Sequence, residues 1–134
     1  MVMPSTRDRW IWYGLAALFV LSPGCTALSR LSMELFISSG SASEGSLGTF
    51  LGAFALTVLT SWAGVLFSLL LTVGLFLDSR HRRRTDGGWQ PTPLYALAGI
   101  VHGVGTSLLA AFAVSVPVVG YYLYRRRRRD TTAR

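Results

Sequence analysis

Few side chains in the apolar parts of this 134-residue sequence could carry chemistry, and His102 is the foremost of them. It lies well inside the last apolar segment, on a helical face with Ala98 and Thr106. A titratable residue inside a bilayer indicates a functional site by default. No second histidine, cysteine or carboxylate stands at metal-ligand spacing from it. We therefore expect a buried, neutral imidazole that is hydrogen-bonded to a carbonyl or to a hydroxyl of a neighbouring helix.

Cys25 is the second candidate for chemistry, because it is the single cysteine of the chain. It follows the run Leu21 to Gly24, which partly resembles the lipobox of a lipoprotein, with Ser22 where an aliphatic residue is usual. If residues 1–24 formed a secretory signal, Cys25 would carry a lipid anchor. A lone cysteine also excludes an internal disulfide.

Polar residues recur at every fourth position in the first apolar segment, and a helix would gather them into one stripe. The stripe consists of Ser22, Thr26, Arg30, Glu34 and Ser38. Arg30 and Glu34 stand four residues apart, a spacing at which opposite charges pair on a helix. This stripe is the candidate lumen if the protein forms a pore.

The composition is typical of a membrane protein, since 51% of the residues are hydrophobic and 14% are charged. The mean hydropathy is +0.44. No catalytic triad, phosphate-binding loop or paired acid and base accompanies His102 and Cys25. The sequence therefore predicts a protein that is not an enzyme, with no catalytic residue, no cofactor and no bound metal.

The positive charge comes from arginine alone, and most of the 13 arginines stand in two blocks at the ends of apolar runs. Such blocks are typical of stop-transfer sequences and of anchors for anionic lipid headgroups, rather than of nucleic-acid surfaces. The residues predicted to contact headgroups are Arg80, Arg82, Arg83, Arg84, Arg125, Arg126, Arg127, Arg128 and Arg129. We expect lipids as partners and no nucleic acid.

The apolar runs that position these residues predict an all-α integral membrane protein in a single domain, with about three transmembrane helices. Helix 1 is expected over about residues 10–37, kinked at Pro23, and a polar loop over 38–46 follows it. Helix 2 is expected over about 47–77, where no ionisable residue occurs. A basic loop over 78–93 leads to the last segment.

The last apolar run, Leu94 to Tyr124, is predicted as one tilted helix with a kink at Pro117 and a basic tail over 125–134. At 1.5 Å per residue it is about 46 Å long, which exceeds one crossing of a roughly 30 Å hydrocarbon core but falls short of two. One crossing places the arginine blocks on opposite sides of the membrane. The alternative is a re-entrant hairpin near Gly103 and Gly105, which places both blocks on one side but exposes backbone groups at membrane depth.

Small residues at four-residue spacing predict two faces for close helix packing. The predicted packing residues are Gly48, Gly52, Thr60, Gly64, Ser68 and Thr72 in helix 2, and Gly99, Gly103, Ser107, Ala111 and Ser115 in helix 3. In lipid, such faces let two helix backbones approach closely enough for dispersion contacts and weak interhelical hydrogen bonds. The sequence leaves open whether the faces meet within one chain or between chains.

Three stretches of the C-terminal half form a recognisable pattern. They are Leu77-Asp78-Ser79-Arg80, Trp89-Gln90-Pro91-Thr92-Pro93-Leu94-Tyr95 and Val116-Pro117-Val118-Val119-Gly120-Tyr121-Tyr122-Leu123-Tyr124-Arg125-Arg126. This pattern resembles the small, uncharacterised multi-pass membrane proteins encoded by halophilic archaea. It implies a multi-pass membrane protein of archaeal origin. It implies no activity, substrate or catalytic residue.

Three functions are compatible with this sequence. The first is a non-enzymatic structural or accessory subunit that packs through its small-residue faces into a larger membrane assembly or a viral envelope. The second is a holin-like or other homo-oligomeric pore former, and the third is a membrane protein anchored by a lipid on Cys25. We predict the first, with a cell or viral membrane as its location and with other membrane subunits or further copies of itself as partners.

Overall fold

Two long antiparallel helices form the body of the molecule, and two shorter helices pack against them near one end. The structure is a computed structural model, and it describes residues 6–41, 46–85 and 91–132. These comprise α1 (Thr6–Ser41), α2 (Leu47–Thr85), α3 (Leu94–Val104) and α4 (Ala110–Thr132). The all-α prediction is confirmed, whereas the described residues form four helices instead of the three predicted.

α1 and α2 are long and apolar enough to cross a membrane. They contain 36 and 39 residues, which corresponds to lengths of about 54 and 58 Å. α1 continues through Pro23 as one helix. α2 runs past Leu77 to Thr85, so the first arginine block is helical instead of lying in a loop. Arginine is a good helix former, and cations favour the negative C-terminal end of a helix.

The predicted loops and tail are therefore shorter than expected. Residues 38–41 belong to α1 and residues 78–85 to α2, and the predicted tail is helical as far as Thr132. The remaining centres of the predicted loops, residues 42–45 and 86–90, lie outside the described residues.

α1 and α2 pack along a seam whose residues alternate in steps of three and four, as in a left-handed coiled coil. The α2 residues that meet α1 are Phe50, Phe54, Thr57, Ser61, Gly64, Ser68, Leu71 and Leu75. These steps average about 3.5 residues, so the seam stays on one side of α2 along its whole length.

The predicted four-residue ladder on α2 is consequently not one packing face. Four residues turn a helix by about 400°, so each step of the ladder drifts about 40° around the axis and Gly52 points about 120° away from Gly64. A Cβ atom at Gly48 or Gly52 would meet nothing within 4 Å, whereas a Cβ at Gly64 would lie 3.6 Å from Cβ of Cys25. Close packing is thus confined to the C-terminal part of the ladder.

α3 and α4 form a hairpin, which corrects the prediction of one helix over residues 94–124. The α-helix is interrupted over residues 105–109, and α4 then runs back alongside α3. As a result the rings of Tyr95, near the start of α3, and Tyr122, late in α4, lie 4.9 Å apart. Pro117 lies inside α4 and does not mark the break. The helix breaks close to Gly103 and Gly105, where the alternative prediction placed a hairpin.

The residues of the turn explain why the chain folds back there. A Cβ at Gly105 would lie 2.6 Å from the ring of Phe112, so the close return of α4 requires glycine. The Thr106 hydroxyl donates to a carbonyl one turn back, at 2.7 Å. Arg30 of α1 donates to the carbonyl of Ser107 at 3.4 Å. These bonds pair polar groups at the turn, as a turn at membrane depth would require.

α3 packs against α2 through its glycines. A Cβ at Gly99 would lie 2.7 Å from Cα of Thr72, and a Cβ at Gly103 would lie 3.3 Å from Cβ of Ser68. The backbones of α2 and α3 therefore approach each other closely in this region. The two small-residue faces meet within one chain, over the part of each face that lies between the hairpin turn and the C-terminal end of α2.

Replacing Gly99 with leucine should destabilise the protein by about 1–3 kcal/mol, because the new side chain would meet the backbone of α2 and force the helices apart. Gly48→Leu is the matched control, since open space surrounds that position. Unfolding of the purified variants in mixed micelles of rising SDS content, followed by circular dichroism, measures both effects. Equal midpoints for the two variants would contradict the α2–α3 contact.

Candidate functional site

A buried ion pair joins the C-terminal ends of α2 and α4. Nη2 of Arg126 lies 3.1 Å from Oδ1 of Asp78, and the Tyr122 hydroxyl donates to Oδ2 of Asp78 at 2.5 Å. Nε of Arg82, one turn further along α2, lies 3.7 Å from Oδ2. Arg126 is 0% exposed and Asp78 is 6% exposed. We call these four residues the aspartate cluster.

The aspartate cluster also holds the N-terminal end of α1. Nη2 of Arg126 donates to the carbonyl of Asp8 at 3.4 Å. Nearby, Nε1 of Trp12 donates to the carbonyl of Leu123 at 3.2 Å, and the Arg127 guanidinium lies 5.1 Å from the centre of the Trp12 ring. The last contact is a cation–π interaction, in which the cation faces the negative face of the ring. One set of polar contacts thus joins the start of α1 to the C-terminal parts of α2 and α4.

The buried carboxylate of Asp78 and the buried guanidinium of Arg126 balance each other's charge. The phenol of Tyr122 donates a hydrogen bond to the carboxylate. A buried charge without a partner costs several kcal/mol, and the attraction between Arg126 and Asp78 offsets the cost of taking both out of water. The cluster can therefore fix helices to one another as long as both charges are present.

The structure divides the arginines that were predicted to contact headgroups. Arg126 is fully buried and cannot reach a headgroup, which corrects its predicted role. Arg82 and Arg125 are half-buried, and Arg83 donates through Nε to the carbonyl of Pro91 at 3.0 Å. The exposed members are Arg80, Arg83, Arg84, Arg127, Arg128 and Arg129. Sequence reasoning missed Arg126 because five consecutive arginines look alike until a neighbouring helix covers one of them.

Both arginine blocks lie at one end of the molecule. α2 and α4 end there, joined by Asp78 and Arg126, and α1 begins there with Arg7 and Arg9. We call this the basic end. Among the described arginines, Arg30 alone lies elsewhere. The prediction that the last segment separates the two blocks is therefore wrong for this arrangement of helices.

Paired hydroxyl groups link α1 to α2 along the middle of their seam. The pairs are Ser22–Ser68, Ser29–Ser61 and Ser32–Thr57, with oxygen–oxygen distances of 2.6, 2.7 and 3.0 Å. Such interhelical hydrogen bonds can replace the hydrophobic drive that lipid does not supply. Sequence reasoning missed all three pairs, because it placed Ser22 in the polar stripe and Ser68 in a packing face. Serines seven residues apart on both helices were the available signal for the first two.

The predicted polar stripe of α1 does not line a lumen within this chain. Ser22 and Thr26 are buried, and the Thr26 hydroxyl donates to the carbonyl of Ser22 at 3.0 Å. Arg30 and Glu34 are exposed, and the hydroxyl of Ser38 donates to a carbonyl of its own helix at 3.0 Å. The first half of the stripe thus serves helix packing, and the second half faces outwards.

His102 is fully buried where α1, α3 and α4 meet. Nδ1 lies 3.0 Å from Oγ of Ser115 on α4. The ring stacks on Phe19 of α1 at 5.5 Å and meets the edge of Phe112 at 4.9 Å between ring centres. The carbonyl of Phe19, which Pro23 leaves without its helical donor, faces the imidazole. Nε2 makes no hydrogen bond of normal geometry with the described residues.

The remaining predicted residues have local roles. Thr60 is buried and donates to the carbonyl of Leu56 at 2.7 Å. Ser107 is exposed at the hairpin turn, Ala111 is half-buried, and Cys25 is half-buried in the seam between α1 and α2. Within the described ranges, no group of three or more His, Cys, Asp or Glu side chains could hold a metal ion.

Comparison of the chain with protein-family models, with curated proteins and with solved structures finds no match. The chemistry of the site therefore follows from its own contacts. The aspartate cluster pairs carboxylate oxygens with guanidinium and phenol donors, the seam pairs hydroxyls, and His102 joins α3 to α4 through Ser115. All of these contacts hold helices in position.

Asp78→Asn should lower the free energy of unfolding by about 3–5 kcal/mol, because Arg126 would remain buried without a counter-charge. The double variant Asp78→Leu/Arg126→Met removes both charges and should recover most of that loss. Arg84→Gln, an exposed position at the same end, is the control and should cost less than about 0.5 kcal/mol. Unfolding in mixed micelles measures all three variants. An Asp78→Asn protein as stable as the parent would rule out a structural role for the cluster.

Proposed function

We propose that this chain is a non-enzymatic membrane protein that serves as a structural or accessory subunit of a larger membrane assembly or viral envelope. In the proposed arrangement, α1 and α2 cross the bilayer, while the hairpin of α3 and α4 enters and leaves it from the side of the basic end. The observation that carries this proposal is the aspartate cluster. It holds the start of α1 and the ends of α2 and α4 together at one end of the molecule.

The distribution of charge supports this arrangement. Loops and tails with many arginines remain on the cytoplasmic side of a membrane, and the basic end collects both arginine blocks together with Arg7 and Arg9. The basic end then faces the cytoplasm or the interior of a virion. Its exposed arginines can bind anionic headgroups, each contributing about 1 kcal/mol near the surface.

The length of the hairpin and the apolar surface of α2 also support the proposed arrangement in the membrane. From Ala110 to Tyr122 the hairpin reaches about 18 Å, or roughly half of the hydrocarbon thickness. Trp12 and Tyr124 lie at the basic end, where aromatic residues mark the headgroup level. Outward-facing leucines of α2 suit contact with lipid, for example Leu66, which is 54% exposed, and Leu69, which is 60% exposed.

Two alternatives are less well supported. A pore through the polar stripe would have to compete with the α1–α2 seam for Ser22 and Thr26, which are buried in it. A lipid anchor on Cys25 would require cleavage in the middle of α1. That cleavage would remove Leu15, a member of the buried core, and Ser22, a member of the seam.

Labelling of single cysteines tests the arrangement in the membrane. In a Cys25→Ala background, Arg84→Cys and Arg129→Cys should react from the same side of sealed vesicles, and Gly48→Cys should react from the opposite side. All three positions are exposed, and Gly48 is surrounded by open space. If Arg84→Cys and Arg129→Cys reacted from opposite sides, the last segment would cross the membrane and the proposed hairpin would be wrong.

Purification from native membranes in a mild detergent tests the function. An accessory subunit should be recovered with other membrane proteins in fixed stoichiometry, and vesicles that contain the purified chain alone should retain a trapped fluorescent dye. The variant Gly99→Leu disturbs the α2–α3 contact and should reduce the recovery of partner proteins relative to the parent chain. Rapid dye leakage together with a homo-oligomer would favour a pore former instead.

A further inference from the structure

The hairpin of α3 and α4 covers only part of the long helices. Its turn lies beside the middle of α2, because a Cβ at Gly64 would lie 3.7 Å from the methyl group of Thr106. Beyond that level, α1 continues from Arg30 to Ser41 and α2 begins at Leu47. Among the described residues, no third helix lies beside these parts. We call residues 30–41 and 46–60 the distal half.

The distal half extends past the hydrocarbon core in the proposed arrangement. About 20 residues of helix span the core, so a crossing that begins at Trp12 ends near Leu31. Several side chains beyond this level are nevertheless apolar and exposed. They include Leu35, Ile37, Leu47 and Phe54, which are 58%, 59%, 72% and 52% exposed. A large apolar surface outside lipid indicates a contact with protein.

The distal half also presents two opposite charges on one face of α1. Arg30, Glu34 and Ile37 stand four and three residues apart, so they lie on the same side of the helix. Arg30 donates to the carbonyl of Ser107, and its side chain is exposed. Glu34 is exposed and makes no hydrogen bond or ion pair with any described residue. A carboxylate that a protein contact removes from water needs a cationic partner.

The occupant of this face can be inferred from its charges. One arginine and one glutamate, separated by one helical turn, form a surface that is neutral as a whole and complementary to itself. When two parallel copies face each other, a rise of about 6 Å separates the arginine of one from the glutamate of the other. An arginine side chain spans such an offset, and two-fold symmetry makes the same contact twice.

We propose that the distal halves of two copies of this chain pack together around a two-fold axis along the membrane normal, with Arg30 of each copy paired with Glu34 of the partner subunit. Apolar side chains such as Ile37 then cover one another. The proposal rests on the membrane arrangement given above. The proposed contact begins where the hairpin turn ends, since Arg30 donates to the carbonyl of Ser107.

Charge exchange in reconstituted vesicles tests the proposal with the full chain. The background is Cys25→Ala, the reporter is Ile37→Cys in the proposed interface, and the control reporter is Leu66→Cys, which is 54% exposed on the outward face of α2. Mild oxidation should cross-link the Ile37→Cys chains to dimers and leave the Leu66→Cys chains monomeric. Arg30→Glu or Glu34→Arg alone should reduce the dimer fraction about tenfold. The double exchange should restore it.

The cross-linking results either support or overturn the pairing of two distal halves. Restoration by the double exchange supports the pairing of Arg30 with the partner subunit's Glu34. Equal cross-linking for all charge variants, or for both reporters, overturns the proposal. Cross-linking of Ile37→Cys to a different protein assigns the face to that protein and also overturns it. Glu34→Gln, a milder change at an exposed position, guards against misfolding, and an unchanged SDS unfolding midpoint verifies the fold of every variant.

The result is independent of the test for an accessory subunit. If the chain co-purifies with other subunits but Ile37→Cys stays monomeric, the proposed function stands and the paired distal halves do not. If dimers form while no other subunit is recovered, the paired distal halves stand and the accessory role falls. Cysteine accessibility from the two sides of the membrane remains a separate readout for the arrangement on which both depend.

Discussion

The buried carboxylate of Asp78 is the point on which the arrangement of helices depends. It accepts a hydrogen bond from Tyr122 and pairs with Arg126, which in turn reaches the backbone of Asp8. An isolated buried charge costs several kcal/mol. If α2 or α4 moved away, Asp78 or Arg126 would become exposed to water or would stay buried without its counter-charge. The start of α1 and the ends of α2 and α4 are therefore held at one level, and this level contains the arginine blocks.

The hairpin of α3 and α4 is the consequence of that constraint. Once the end of α4 must return to Asp78, the last apolar segment has to reverse direction. It does so where Gly105 permits a close return and where Arg30 and Thr106 satisfy carbonyl groups of the turn. Two carbonyl groups at the turn, those of Gly103 and Ser107, thus have side-chain donors. The same turn leaves the distal half of α1 and α2 uncovered, where Arg30 and Glu34 face outwards.

Much of the fold could be predicted from local patterns. Apolar length predicts α1 and α2, and helical spacing places His102 on an inner face of its segment. The four-residue ladder failed at Gly48 and Gly52 because a straight helix turns about 40° with each step, while two packed helices follow a repeat of about 3.5 residues. The hydroxyl pairs lie on that repeat. Arg126 could not be told from its neighbours, since burial depends on which side of α4 faces Asp78.

Local sequence is enough to predict which segments are apolar helices and where the positive charge collects along the chain, because both properties depend on neighbouring residues. How the last segment folds, which arginine is buried and at which end the two arginine blocks lie follow only from the folded chain. These depend on contacts between residues far apart in the chain, above all Asp78 with Arg126. Length and the cost of unpaired backbone groups favoured one continuous helix over a hairpin, whereas the chain folds back and pairs Asp78 with Arg126.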